Sequence, residues 1–132
     1  MQIGKITQVM GPVVDVQFPE RPLPVIKTAL QADNHGKKAV MEVAQHIGDD
    51  TVRCIMLSSS EGLQKDMPVL STGSGIEVPV GDQNLGRLFN VLGDTIDGKE
   101  SLSDAKRWEI HRKPPKFTDQ SPVQEILETG IK

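Results

Sequence analysis

Short apolar stretches alternate with turn residues over roughly the first 75 positions of the chain. In VVDVQF, Val14, Val16 and Phe18 alternate with polar residues, which is the period of two expected of a strand with one buried face. KITQVM, IKTALQA, AVMEVAQHI, TVRCIML and PVLST also predict strands, and GP, PERPLP, DNHGKK and GDD predict turns or loops between them. About six short strands at regular spacing indicate a mainly β fold, either a small closed barrel or a sandwich.

The pattern changes after this β-rich part. TGSGIEVPVGD is rich in glycine and proline and predicts a linker with a short extended segment. Leu85, Leu88, Phe89 and Leu92 are spaced i, i+3, i+4, i+7, which predicts a helix that Gly93 would end. Its apolar face would lack a partner, so we expect this segment to be swapped, oligomeric or poorly ordered. DTIDGKESLSDAKRWEIHRKPPKF predicts a long loop.

Composition restricts the classes of function. The 132 residues suffice for one domain, or for a small domain with an appendage. A net charge of −3 and only four aromatic residues disfavour a nucleic-acid-binding protein. No apolar stretch is long enough to span a membrane, and MQIGKITQ is not a signal peptide, so we expect no direct membrane insertion. The single cysteine, Cys54, lies in an apolar stretch and is interpreted as a buried small residue.

Candidate phosphate loops are incomplete. Gly81 and Gly86 have the spacing of a phosphate loop, but Arg87 and Leu88 replace the lysine and the serine or threonine that would hold phosphate and magnesium. GSGIEV has two of the three glycines of a dinucleotide-binding turn. We therefore interpret the first stretch as a helix entry and the second as a loop.

The remaining polar residues form no recognisable catalytic pattern. His35, His46 and His111 have no cysteine or carboxylate at zinc-ligand spacing and are interpreted as solvated or structural. Asp49–Asp50 and Asp94–Asp97 are interpreted as turn residues. From the residues alone, we predict no catalytic, cofactor-binding or metal-binding residue.

KRWEIHRKPPKF combines positive charge with aromatic residues. Five Lys or Arg side chains lie among the eleven residues 106–116, together with Trp108 and Phe117. Such a cluster could bind RNA or another anionic partner. The favoured interpretation is a solvated loop whose tryptophan packs on its own domain, because Glu109 and Pro114–Pro115 interrupt the basic face.

Five stretches together resemble a known family. GKITQVMGPVVDVQFP, MEVAQHIGDDTVRCIML, VPVGDQNLGRLFNVLGDTIDG, RWEIHR and EILETGIK are similar, in order and spacing, to the N-terminal part of the beta subunit of F-type ATP synthase. The resemblance covers essentially the whole chain. The alpha subunit and the vacuolar-type subunits have related barrels with different strand sequences. NHGKKAV and KESLSDAK match no fixed pattern and are interpreted as variable surface loops.

The resemblance implies two units. Residues 1–77 would form a six-stranded barrel that packs beside other barrels in a ring of three alpha and three beta subunits. Residues 78–132 would begin an α/β nucleotide-binding domain. In the family, a segment like EILETGIK leads towards a Walker-type phosphate loop, so Ile131–Lys132 would start a new element. The chain is then expected to be an N-terminal fragment that lacks the catalytic loop.

The resemblance also implies a function for the parent protein. It would make or hydrolyse ATP with proton transport, bind ATP or ADP and magnesium, and contact alpha subunits and the central stalk. It would lie at the cytoplasmic face of a bacterial plasma membrane or the equivalent face in an organelle. We expect the fragment itself to be inactive, to bind no cofactor and to mediate assembly. The alternatives are a stand-alone barrel that binds protein or RNA, a related rotary or export ATPase subunit, and a decoy domain that caps an alpha subunit.

Overall fold

A closed barrel of six antiparallel strands forms the first part of the chain. The computed structural model describes residues 2–126 and 128–129. The order around the barrel is β1–β2–β5–β4–β3–β6. The strands are β1 (Ile3–Met10), β2 (Val13–Gln17), β3 (Ala29–Asn34), β4 (Lys37–His46), β5 (Thr51–Met56) and β6 (Pro68–Ser71). The predicted mainly β class and its six-stranded barrel are confirmed.

The alternation seen in the sequence places one face of each strand in the barrel interior. Val14 and Val16 are fully buried there, and Asp15 between them faces outward. Burial of each such aliphatic side chain contributes about 1.5–3 kcal/mol, which makes the interior the main source of stability. The core consists of Ile6, Val14, Val16, Phe18, Leu30, Ala32, Ala39, Met41, Val43, Val52, Cys54, Met56, Leu63 and Val69.

The turn between β3 and β4 is tighter than the predicted DNHGKK loop. Asn34 is still in β3, and the left-handed conformation occurs at His35, with φ 53°, and at Gly36, with φ 80°. The Gly36 amide donates a hydrogen bond to Asp33 Oδ1 at 2.7 Å. The predicted connection is confirmed but is shorter than DNHGKK, because this local side-chain bond lets both strands run to a two-residue turn.

Beyond the barrel, the chain folds back on itself through a second, small sheet. Strand β7 (Glu77–Pro79) pairs antiparallel with β8 (Arg107–Glu109). The short extended segment predicted after residue 75 is confirmed by β7, whereas β8 interrupts what was predicted as a continuous loop. We name residues 73–112 the strap. The helices of the described residues are two single 3-10 turns, at Asp82–Asn84 and Phe117–Asp119.

The predicted helix through Leu85 and Leu92 was wrong. Gly86 has φ 68°, which interrupts a right-handed helix one residue after Leu85. The Asn90 side chain accepts hydrogen bonds from the amides of Leu92 and Asp94, which replaces helical bonding with a local turn. Phe89 forms an isolated bridge with Thr95. Because Leu85 remains 79% exposed, no buried face supports a helix here.

The end of the chain lies partly outside the described residues. Glu125 and Ile126 are exposed and have no regular secondary structure. The element predicted to start at Ile131–Lys132 falls outside the described residues.

Candidate functional site on the outer surface of the barrel

The three histidines occupy separate places in the fold. His35 lies in the β3–β4 turn, and His46 Nε2 lies 2.8 Å from the carbonyl oxygen of Pro24. His111 Nε2 lies 2.8 Å from Glu42 Oε2, a carboxylate that sequence spacing could not reveal because it is 69 residues away. Within residues 2–126 and 128–129, no group of three or more His, Cys, Asp or Glu side chains could hold a metal ion. In the same part of the chain, no helix is both long and apolar enough to cross a membrane.

Cys54 is buried in the barrel core, as its apolar surroundings in the sequence predicted. Burial raises the pKa of its thiol to about 12, and the negative charge of Asp15 acts in the same direction. The thiol therefore stays protonated near neutral pH. Since the thiolate is the nucleophilic form, Cys54 has a packing role.

An ion pair covers the outer side of β2 and β5. Asp15 and Arg53 are directly opposite in the strand register, and the guanidinium binds the carboxylate through two contacts of 2.8 Å, Nε to Oδ1 and Nη2 to Oδ2. Hydrogen bonding to Asp15 raises the pKa of Arg53, so the guanidinium keeps its positive charge. Both carboxylate oxygens of Asp15 therefore accept hydrogen bonds from Arg53, which indicates a structural role for this pair.

A second ion pair organises the strap. Arg87 Nε lies 2.5 Å from Asp97 Oδ2, and Arg87 Nη2 also donates to the Glu100 carbonyl at 2.6 Å. Hydrogen bonding from Arg87 is the largest influence and holds the pKa of Asp97 well below its usual range, against the opposing effect of burial. Asp97 also accepts a hydrogen bond from the Lys99 amide at 3.1 Å, as expected of a turn residue. The arginine partner was not predicted from the sequence.

The strap is fastened to the barrel at the outer side of β4. Glu42 contacts Lys27 Nζ at 3.2 Å through one carboxylate oxygen and His111 through the other. Next to this contact, the Gly75 amide donates to Glu109 Oε1 at 3.1 Å. A cleft of about 320 Å³ remains between barrel and strap. These contacts fix the strap against the outer side of β4.

The basic and aromatic cluster is arranged differently from the favoured interpretation. Trp108 lies on β8 opposite Val78 and is 43% exposed, so the segment is a strand at this point and the ring is only partly covered. The Arg112 guanidinium lies 3.8 Å from the centre of its ring and Lys106 Nζ lies 5.5 Å from it. Because these cations interact with the ring, the ring is not an open stacking platform for a nucleic-acid base.

Two apolar patches remain on the outer surface of the barrel. The first, which we name the hairpin patch, consists of Met10, Val13 and Ile55, aligned across β1, β2 and β5 by the strand register. Met10 is 41% and Ile55 49% exposed, and the β1–β2 turn connects Met10 to Val13. Exposed apolar patches of this kind mark sites of contact with other proteins.

The second patch, which we name the groove patch, lies on the other side of β1. Ile3 on β1, Leu70 on β6 and Gln31 on β3 are aligned by the register, and Pro68 lies beside them. They line a groove of about 560 Å³ on the barrel surface. Ile3 is 63% exposed at its edge. The barrel therefore presents two apolar patches at opposite ends of β1, one beside the β1–β2 turn and one lining a recess.

The comparison with known families agrees with this architecture. The family model for the ATP synthase alpha/beta family, beta-barrel domain, matches residues 6–73. This range contains strands β2 to β6 completely and β1 from its fourth residue onward. The match covers more than half of the chain and ends where the barrel ends. The chain therefore belongs to the ATP synthase alpha/beta family, and residues 6–73 form its beta-barrel domain.

Proposed function

We propose that the chain is the N-terminal part of the beta subunit of an F-type ATP synthase and that its barrel assembles the alpha/beta ring. The proposed boundary places the barrel at residues 1–77 and the start of the nucleotide-binding domain at residues 78–132. The single observation that supports an assembly role best is the pair of apolar patches on the outside of a closed barrel. Its proposed partners are alpha subunits.

Barrel closure explains why assembly would depend on side chains. Each barrel strand pairs with a neighbour on both sides, so the barrel has no free sheet edge to which a partner strand could be added. Contacts between barrels must then use outward side chains. Ile3 and Ile55 are large, apolar and exposed, which suits them to a surface that another subunit covers.

The parent protein would perform the chemistry elsewhere. We propose that it makes and hydrolyses ATP by phosphoryl transfer with bound magnesium, coupled to proton transport and to a central stalk. We place it at the cytoplasmic face of a bacterial plasma membrane or the equivalent face in an organelle. The present segment is proposed to bind no nucleotide, because Arg87 and Leu88 stand where a phosphate loop needs lysine and serine or threonine.

Mixing the chain with purified alpha subunit tests the assembly role. Native mass spectrometry should detect a complex of the two proteins, and isothermal titration calorimetry of the chain alone with Mg-ATP should give no binding heat. Failure of the alpha subunit to bind would refute the assembly role. Saturable Mg-ATP binding by the chain alone would refute the proposal that this segment lacks a nucleotide site.

A further inference from the structure

We infer that Asp97–Gly98 in the strap is a latent site of isoaspartate formation, which the Arg87 side chain keeps unreactive while the chain is folded. The sequence contains no other Asp-Gly pair and no Asn-Gly pair. Such pairs isomerise because glycine has no side chain to hinder the approach of its amide nitrogen to the preceding carboxyl carbon. This property of the strap is independent of the proposed assembly function.

The reaction uses only atoms of these two residues and water. The Gly98 amide nitrogen attacks Cγ of Asp97, so that the N–Cγ bond forms and the Cγ–OH bond breaks. The amide proton and the hydroxyl leave together as one water molecule, and a five-membered succinimide ring results. A second water opens this ring. When it attacks the main-chain carbonyl, the chain afterwards runs through the Asp97 side chain, which is isoaspartate. Nothing is oxidised or reduced.

The attacking nitrogen, on Gly98, is not restrained. Gly98 is exposed, and a Cβ added there would meet no atom within 4 Å. Within the part of the chain that the structure describes, its amide has no hydrogen-bond partner. Neither packing nor hydrogen bonding therefore blocks the nitrogen, so protection has to come from the carboxyl group that it would attack.

The Asp97 carboxyl group is ionised and held by four contacts. Oδ2 accepts from Arg87 Nε at 2.5 Å, and Oδ1 accepts from Arg87 Nη2 at 3.2 Å. The amides of Leu88 and Lys99 donate to the same two oxygens at 3.4 and 3.1 Å. Hydrogen bonding from Arg87 holds the pKa of Asp97 well below its usual range. An ionised carboxylate has no hydroxyl to lose as water, and succinimide formation would remove these charge-assisted contacts.

The Arg87 guanidinium is itself fixed in the strap. Nη2 also donates to the Glu100 carbonyl at 2.6 Å, and the side chains of Arg87 and Asp97 are each only 12% exposed. The pair closes the base of a small hairpin in which the Ile96 amide donates to the Leu88 carbonyl at 2.9 Å. Isomerisation would insert a methylene group into the main chain and displace the carboxylate. The hairpin would then lose its closing ion pair.

Ageing the chain and mapping its peptides tests this inference. The native chain, Arg87→Gln and Arg21→Gln are incubated at neutral pH, and the native chain is also incubated in concentrated urea. After digestion, liquid chromatography with mass spectrometry quantifies isoaspartate at position 97, and enzymatic methylation of isoaspartyl groups gives a second readout. Arg21→Gln is the matched control, because it removes the same charge from an exposed pair with Asp49.

Isoaspartate should form at least about tenfold faster in Arg87→Gln and in the unfolded native chain than in the folded native chain, since each unit by which a pKa falls makes the neutral carboxyl about tenfold scarcer. Arg21→Gln should match the native chain, and far-UV circular dichroism should show an intact barrel in both variants. Equal rates in the folded and unfolded native chain would overturn the inference, and this comparison needs no substitution. A folded Arg87→Gln variant that reacts as slowly as the native chain, or equal acceleration by Arg21→Gln, would overturn it too.

Discussion

Replacing Gly4 by alanine should destabilise the barrel, because β1 and β2 approach too closely at this position for a side chain. An ideal Cβ on Gly4 would lie 2.8 Å from the carbonyl oxygen of Gln17 and 2.8 Å from Val16 Cγ1. It would also lie 2.9 Å from Phe18 Cε1. All three distances are shorter than a carbon atom tolerates, so the two strands must move apart or the core must shift.

The magnitude follows from which of these atoms can move. The Gln17 carbonyl belongs to the ladder in which Lys5 and Gln17 are partners, and Phe18 is 1% exposed in the core. Overpacking at such sites costs about 1–3 kcal/mol. Alanine has less conformational freedom than glycine in the unfolded chain, and this difference stabilises the folded state by about 0.4–1 kcal/mol. The expected net loss in the free energy of unfolding is about 1–1.5 kcal/mol.

Urea unfolding followed by far-UV circular dichroism measures this loss. Fluorescence would be unsuitable, because the single tryptophan, Trp108, lies in the strap. With a typical urea dependence for a small domain, the midpoint should fall by about 0.5–1 M. Gly48→Ala is the matched control, because no atom lies within 4 Å of a Cβ there, and its midpoint should stay the same or rise slightly. A Gly4→Ala midpoint equal to that of the native chain would refute the reasoning.

Three further predictions concern other parts of the molecule. Cys54 should resist labelling by a thiol reagent at pH 8 in the folded chain and react after unfolding in urea, because its pKa is raised to about 12; rapid labelling of the folded chain would contradict its burial. The pKa of Asp97 is lower in the folded chain than in the unfolded chain, so its ionised carboxylate stabilises the strap above about pH 4. This stabilisation is lost as the pH falls through the pKa of Asp97 in the folded chain. The NMR amide shifts of the strap should therefore change in acid. The Asp97→Asn variant should show the same amide-shift changes already at pH 7. Unaltered amide shifts in this variant would show that the Asp97 carboxylate does not stabilise the strap. Arg112→Gln should shift Trp108 emission to longer wavelength by exposing the ring, whereas Lys113→Gln should not; equal spectra for both would contradict the stacking.

The barrel strands could be predicted from the sequence because their signal is local. Val14 and Val16 alternate with polar neighbours, and each strand ends at turn residues. The order of the strands is not local, since β2 pairs with β5 and β3 with β6 across long stretches of chain. Residues alone therefore left both barrel and sandwich open, and only the resemblance to a family selected the barrel.

The strap could not be predicted from the sequence, because its structure depends on contacts between residues that are far apart along the chain. Leu85 and Leu88 fit a helical spacing, but four apolar positions are a short sample, and Gly86 between them was the available sign of a break. The contact between His111 and Glu42 joins residues 69 positions apart. The structure of this region depends on such distant pairs, which no local pattern contains.

Closure of the barrel separates the residues that stabilise the fold from those available for contact with other subunits. The inward row of each strand fills the core, as Val14 and Cys54 do, so stability does not require the outward neighbours Val13 and Ile55 to be apolar. With every barrel strand paired on both sides, the backbone offers no free edge either. Apolar side chains on the outward row therefore add little to folding and expose surface that water disfavours. Their alignment by the strand register into two patches on either side of β1 is the physical reason to place assembly contacts there.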